Sequence, residues 1–113
     1  MTRLSTLLDL TGKVAIVTGA TGQLGRVIST TLAEQGANIV VNSRTKSECE
    51  EFASQLSDKY QRSTAAAGDI TEVEDVDSVI DRAVEEFGHL DILINNAYAG
   101  ETPEFEELTL QDF

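Results

Sequence analysis

The sequence predicts a doubly wound α/β domain built on a parallel sheet. An apolar, β-branched run at Val14, Ala15, Ile16 and Val17 flows directly into a turn punctuated by glycines and then into a helical pattern. Three further short apolar runs follow, separated by stretches whose apolar residues recur at helical spacing. Strand and helix alternating through short connections means parallel strands joined by right-handed crossovers. The expected order is 3-2-1-4, with the fourth strand beside the first across the switch point.

Residues 1–11 read as a lead-in and residues 13–18 as the first strand. The first helix is expected over residues 24–35, with Leu24, Val27, Ile28 and Leu32 at helical spacing and Gly36 placed to end it. Residues 37–42, ANIVVN, form a second strand without alternation, as when both faces are covered. Thr45 and Glu48 then make a capping-box pattern. It opens a helix with Cys49, Phe52, Ala53 and Leu56 on one face, ending near Lys59. Residues 63–67 are the third strand mainly by their place in the alternation, since alanines bring little β preference. A second capping box, Thr71 with Glu74, opens the most regular amphipathic segment. Its stripe is Val76, Val79, Ile80, Ala83, Val84 and Phe87, and Gly88 stops it. Residues 90–97, LDILINNA, form a fourth buried strand, residues 98–108 a loop, and residues 109–112 the first turn of a fourth helix.

Bulk properties bound the function. A chain of 113 residues, 41% hydrophobic and 25% charged, has the make-up of one soluble globular domain. Twenty acidic against eight basic residues give a formal net charge of -12. Such a surface repels phosphate backbones and anionic lipid, which argues against nucleic acid and membrane partners. Lys13, Lys46 and Lys59 are the only lysines. An acid-rich, lysine-poor surface suits a high-salt cytoplasm, where self-repulsion is screened; an ordinary acidic bacterial protein is the alternative. Cys49 and His89 each stand alone in the sequence, so neither an internal disulfide nor a zinc site is expected, and His89 reads as exposed. No stretch approaches the ~20 apolar residues of a membrane span and no secretory signal is visible, so a cytoplasmic protein is expected.

The chemistry concentrates at the ends of the strands. Thr18, Gly19, Thr21, Gly22, Gln23, Leu24 and Gly25 form a strand-to-helix turn with glycines at every third position. Such a turn offers bare backbone N–H groups at the positive end of a helix dipole, where a phosphate can sit without a lysine. The turn lacks the Lys-Ser/Thr ending of an ATP-binding P-loop, which disfavours a kinase or ATPase. Beyond the second strand, where an Asp or Glu would hold the ribose 2′-hydroxyl of NAD, the chain has Ser43 and Arg44. Absence of the carboxylate removes repulsion toward a 2′-phosphate, and the guanidinium offers a charge-assisted partner. The cofactor expected is therefore NADP(H) in preference to NAD(H), unless Arg44 is merely a solvated residue ahead of the helix. Asp69 can accept from an adenine amino group or serve as a turn residue. Asn95, Asn96 and Ala97 close the fourth strand at the same edge, and Asn95 reads rather as a bridge between strand backbones. The acidic residues between positions 101 and 107 read as a solvated loop face, and Tyr60 and Tyr98 each lack a lysine four residues later.

Taken together, TGATGQLG at residues 18–25, the Asp69-Ile70 pair and LDILINNA at residues 90–97 resemble the short-chain dehydrogenase/reductase family. The likeness covers nearly the whole chain. It implies a Rossmann-type fold and hydride transfer between NAD(P)H and an alcohol or ketone. It places Thr18 to Gly25 around the pyrophosphate, Ser43 and Arg44 at the adenosine ribose, Asp69 and Ile70 at adenine, and Asn95, Asn96 and Ala97 beside the nicotinamide ribose. The family's catalytic serine, tyrosine and lysine would fall beyond Phe113. The chain is thus expected to be an NAD(P)-binding domain over residues 1–113, cut short before the catalytic segment and inactive alone. The complete protein would act on a small-molecule substrate as a homo-oligomer; a non-catalytic dinucleotide-binding module or redox sensor is the alternative. Two departures stand out. The glycine spacing is that of longer, sugar-nucleotide-modifying members, and Tyr98 stands where a glycine is usual, with glycine delayed to Gly100.

Overall fold

A computed structural model describes residues 9–97. The seven elements are β1 (Val14–Val17), α1 (Gln23–Glu34), β2 (Asn38–Val41), α2 (Lys46–Lys59), β3 (Thr64–Ala65), α3 (Val73–Phe87) and β4 (Ile92–Ile94). The four strands form one sheet in the order β3-β2-β1-β4, and every pair is parallel. This is the doubly wound arrangement expected of the alternation. The loop at residues 98–108, the helical turn at residues 109–112, Tyr98 and Gly100 lie outside the described residues.

The period-two geometry of β1 splits the core in two. Ala15 and Val17 join Ile39 and Val41 on one face, where Ala33 of α1 and Cys49, Phe52 and Leu56 of α2 cover them. Val14 and Ile16 join Val40 and Ala66 on the other, beneath Val79 and Ala83 of α3. Because β1 and β2 are buried on both faces, their sequences are continuous apolar runs.

Three local expectations are corrected. The buried face of α1 is Gly25, Ser29 and Ala33, whereas Leu24 and Val27 are 62% and 59% exposed. Small residues at i, i+4 and i+8 let the helix lie close to the sheet, while Ile28 and Leu32 are half-buried and pack against the same core and Leu24 and Val27 turn outward. Neither capping box forms. Thr45 is the N-cap of α2 but makes no side-chain capping bond, and α3 starts from Glu72 because the Thr71 hydroxyl donates to Asp69 Oδ1 at 2.7 Å. β4 is shorter and less buried than expected, with Leu93 63% exposed. Among the described residues it pairs only with β1 and so is an edge strand.

Candidate functional site

The carboxyl ends of β1, β2 and β4 converge on one cleft of about 420 Å³. Its walls are Gly19, Thr21, Gly22, Gln23, Leu24 and Gly25 from the β1–α1 turn, Ser43 and Arg44 after β2, Asp69 and Ile70 after β3, and Asn96 and Ala97 after β4. Of the residues singled out in the sequence, Thr18 and Asn95 stand outside this lining. An open α/β sheet receives its ligands in this place, where neighbouring connections leave to opposite faces.

The turn is held by backbone contacts that admit no side chain at two of its glycines. Gly19 has φ +62°, and a Cβ there would come within 2.9 Å of the Ala97 Cα. A Cβ on Gly25 would strike the Gly19 carbonyl oxygen and come within 2.8 Å of the Ala20 Cα. Ala20 donates its N–H to the Asn42 carbonyl at 2.8 Å, and Arg26 Nε donates to the Thr21 carbonyl at 2.9 Å while its guanidinium lies 4.7 Å from the Phe52 ring centre. The N-cap of α1 is Gly22, which supplies no side-chain bond, so the first-turn N–H groups on cleft-lining residues keep no side-chain partner. Open donors at a helix N-terminus suit an anionic oxygen.

Thr18 is a brace for the cleft and not part of its wall. Its hydroxyl accepts the N–H groups of Asn96 and Ala97, both at 2.9 Å, and its proton can go to the Ile94 carbonyl or to Asn95 Oδ1. These bonds draw residues 95–97 off the β4 ladder and fold them across β1. Asn96 Nδ2 adds a bond to the Gly19 carbonyl at 3.3 Å. Asn95 is exposed and reaches only Thr18 among the described residues. That contact joins two side chains just beyond β1 and β4 and is not the expected bridge between strand backbones.

Asp69 serves the turn while it lines the cleft. Its Oδ1 accepts from the Thr71 hydroxyl and N–H, and those two bonds hold the carboxyl below its ordinary value of 3.8, slightly opposed by desolvation and aided by the charge of Arg44. Ser43 stands 3.1 Å from the buried Cys49 thiol. His89, exposed as expected, binds the Gly12 carbonyl and Asp91 at the opposite end of the sheet.

Four cleft residues were not read from the sequence: Asn42, Thr45, Glu48 and Gly68. Asn42 is buried and donates to the carbonyls of Ala66 and Gly68, tying the end of β2 to the chain after β3. A polar residue closing an apolar strand was the available signal. Glu48 comes from α2, and only the three-dimensional course of the chain brings it to the glycine turn. Among the described residues no helix is long and apolar enough to cross a membrane.

A parallel sheet in the order 3-2-1-4, with a glycine turn opening its first helix at the switch point, defines a Rossmann-type domain. The chain matches the short chain dehydrogenase family over residues 13–113 and belongs to it. A hydroxynaphthalene reductase-like protein, Arp2, of Metarhizium robertsii is 37% identical over 106 residues, which are 93% of this chain and 40% of that protein. An uncharacterized oxidoreductase of Staphylococcus aureus is 43% identical over 88 residues, 78% of this chain and 37% of its own. Among solved structures, L-sorbose reductase from Gluconobacter frateurii, complexed with NADPH and L-sorbose, superposes with a TM-score of 0.79 at 33% identity. The superposition covers 92% of this chain and 40% of the reductase. The chain thus spans about two fifths of the length of the relatives it matches.

Proposed function

We propose that this chain is the cofactor-binding part of an NADP(H)-dependent oxidoreductase that interconverts an alcohol and a ketone. The observation that carries the reading is the single cleft in which the uncapped glycine turn, Ser43 with Arg44, Asp69 with Ile70, and Asn96 with Ala97 meet. In this reading the turn from Gly19 to Gly25 takes the pyrophosphate, braced from behind by Thr18, and open N–H donors at the start of α1 suit that charge. Ser43 and Arg44 take the adenosine ribose with its 2′-phosphate, Asp69 and Ile70 border adenine, and Asn96 and Ala97 border the nicotinamide ribose, with Asn95 behind them. When bound, the dinucleotide supplies or accepts the hydride.

The sorbose reductase, described with NADPH, supports the choice of cofactor class, and the reductase names of the relatives support the reaction class. Those names span an aromatic and a sugar substrate, so alcohol and ketone is the level at which the substrate is proposed. The small-molecule site, the serine, tyrosine and lysine of the family, and a homo-oligomeric state belong in this proposal to the complete protein. Calorimetric titration of the chain with NADPH and NADH tests the reading. Tighter binding of NADPH is expected; binding of neither nucleotide would overturn it.

A further inference from the structure

The sequence after β2 offers no carboxylate at the place where one would favour NAD(H), yet the fold brings one back from another element. Glu48, in the first turn of α2, lines the same cleft as Arg44. Its Oε2 accepts from the Thr21 hydroxyl at 3.3 Å, so it reaches from α2 across to the glycine turn. Among the described residues neither Glu48 nor Arg44 takes part in an ion pair. The two side chains therefore bring opposite charge to the same cleft without pairing with each other. Asp69 adds a second negative charge to the same walls.

We propose that Glu48 is a specificity-determining residue of the cleft it shares with Arg44, lowering the discrimination in favour of a 2′-phosphate that Arg44 creates. The inference rests on the nucleotide reading above and deepens it. A carboxylate repels the phosphate dianion through space, and it accepts a hydrogen bond from a free 2′-hydroxyl. Both effects shift discrimination the same way, toward the unphosphorylated ribose. Thr21 contributes a hydroxyl donor that draws the exposed Glu48 carboxylate toward the glycine turn. The outcome is a site that accepts both forms of the dinucleotide with a modest preference, in place of one committed to the phosphorylated form.

The test compares adenosine 2′,5′-bisphosphate with adenosine 5′-monophosphate, which differ only in the 2′-phosphate. Their dissociation constants are measured calorimetrically at low ionic strength for the full chain and for Glu48→Gln, Glu48→Ala and Glu48→Asp. Neutralisation in the Gln and Ala variants should raise the preference for the bisphosphate by about threefold or more, fading in molar salt, while Glu48→Asp stays near the parent. An unchanged preference in both neutral variants overturns the inference and leaves the nucleotide reading standing. In Glu48→Gln, which keeps an acceptor and loses only the charge, a shift that persists undiminished in high salt assigns the effect to packing and overturns it too. If neither ligand binds the parent or any variant, the nucleotide reading itself fails and this inference fails with it.

Discussion

The Thr18 hydroxyl accepts the N–H of Asn96 at 2.9 Å and so joins the chain leaving β1 to the chain leaving β4. The same oxygen takes the N–H of Ala97 at 2.9 Å, and Thr18 itself is buried. Thr18→Val keeps the shape and removes the acceptor, leaving two partly buried donors without it. A loss of about 1–3 kcal/mol is expected. Denaturant unfolding should show a lower midpoint at unchanged slope, and the amides of Asn96 and Ala97 should exchange faster with solvent.

The glycines of the turn are not equivalent. Gly25→Ala places a Cβ against the Gly19 carbonyl and Ala20, a contact with rigid backbone that no rotamer relieves. Destabilisation of about 1–3 kcal/mol or more is expected. Gly22 has φ -76° and would meet nothing nearer than the Gly19 oxygen at 3.5 Å, so Gly22→Ala should stay within about 0.5 kcal/mol of the parent. Thermal melts of the two variants side by side check the contrast, and equal effects would contradict the geometry.

The Asp69 carboxyl, held below 3.8 by Thr71, makes a pH-dependent contribution. A depressed value means that the folded state favours the ionised form, so the contribution is complete above the unfolded value and is lost as pH falls through the folded one. Thr71→Val removes the hydroxyl donor and keeps the N–H. The stability difference from the parent should be constant above about pH 5 and shrink toward zero below about pH 3. Carbon-detected titration of the carboxyl should show its midpoint rising in the variant.

Much of this architecture was legible in sequence because a strand buried on both faces must be continuously apolar, as β1 and β2 are. Helix α2 was equally legible, since Cys49, Phe52, Ala53 and Leu56 are all buried on one face. The face of α1 was legible only in part: Ile28 and Leu32 pack against the core, but helical spacing alone does not tell Leu24 and Val27 from Gly25, Ser29 and Ala33, and close approach to the sheet favoured the small set. The capping boxes were misread because side-chain hydroxyls have competing local acceptors: Thr71 found Asp69. Site residues on the strand ends were readable from their place after apolar runs. Glu48 was not, because its proximity to Thr21 is a product of the α2 packing, 27 positions away in sequence.

Cofactor preference should respond to the residues after β2. Arg44 is exposed and lines the cleft beside the half-buried Ser43. Arg44→Ala combined with Ser43→Asp removes the cation and restores a carboxylate near the adenosine ribose, so NADH should be favoured over NADPH. The expected change in the ratio of dissociation constants is about tenfold or more, as for loss of a charge-assisted pair together with gain of a repulsive charge. Fluorescence titration with the two reduced nucleotides measures it. An unchanged ratio would show that Arg44 is only a solvated residue ahead of α2.

Ser29 provides a test of packing independent of any ligand. It is fully buried on the sheet-facing side of α1, and its hydroxyl has no hydrogen-bond partner. A buried hydroxyl left unpaired costs free energy, whereas a methyl group in the same space costs none on that account. Ser29→Ala also raises helix propensity, because alanine does not compete for backbone bonds. The substitution should therefore stabilise the chain by about 0.5–2 kcal/mol, seen as a higher denaturant midpoint at unchanged slope. A larger residue is a different matter. Ser29→Val must push the helix off the sheet and should destabilise by about 1–3 kcal/mol. Opposite signs for the two variants would establish that α1 is seated by close approach of small residues. Loss of stability in Ser29→Ala would mean instead that the hydroxyl has a partner in solution.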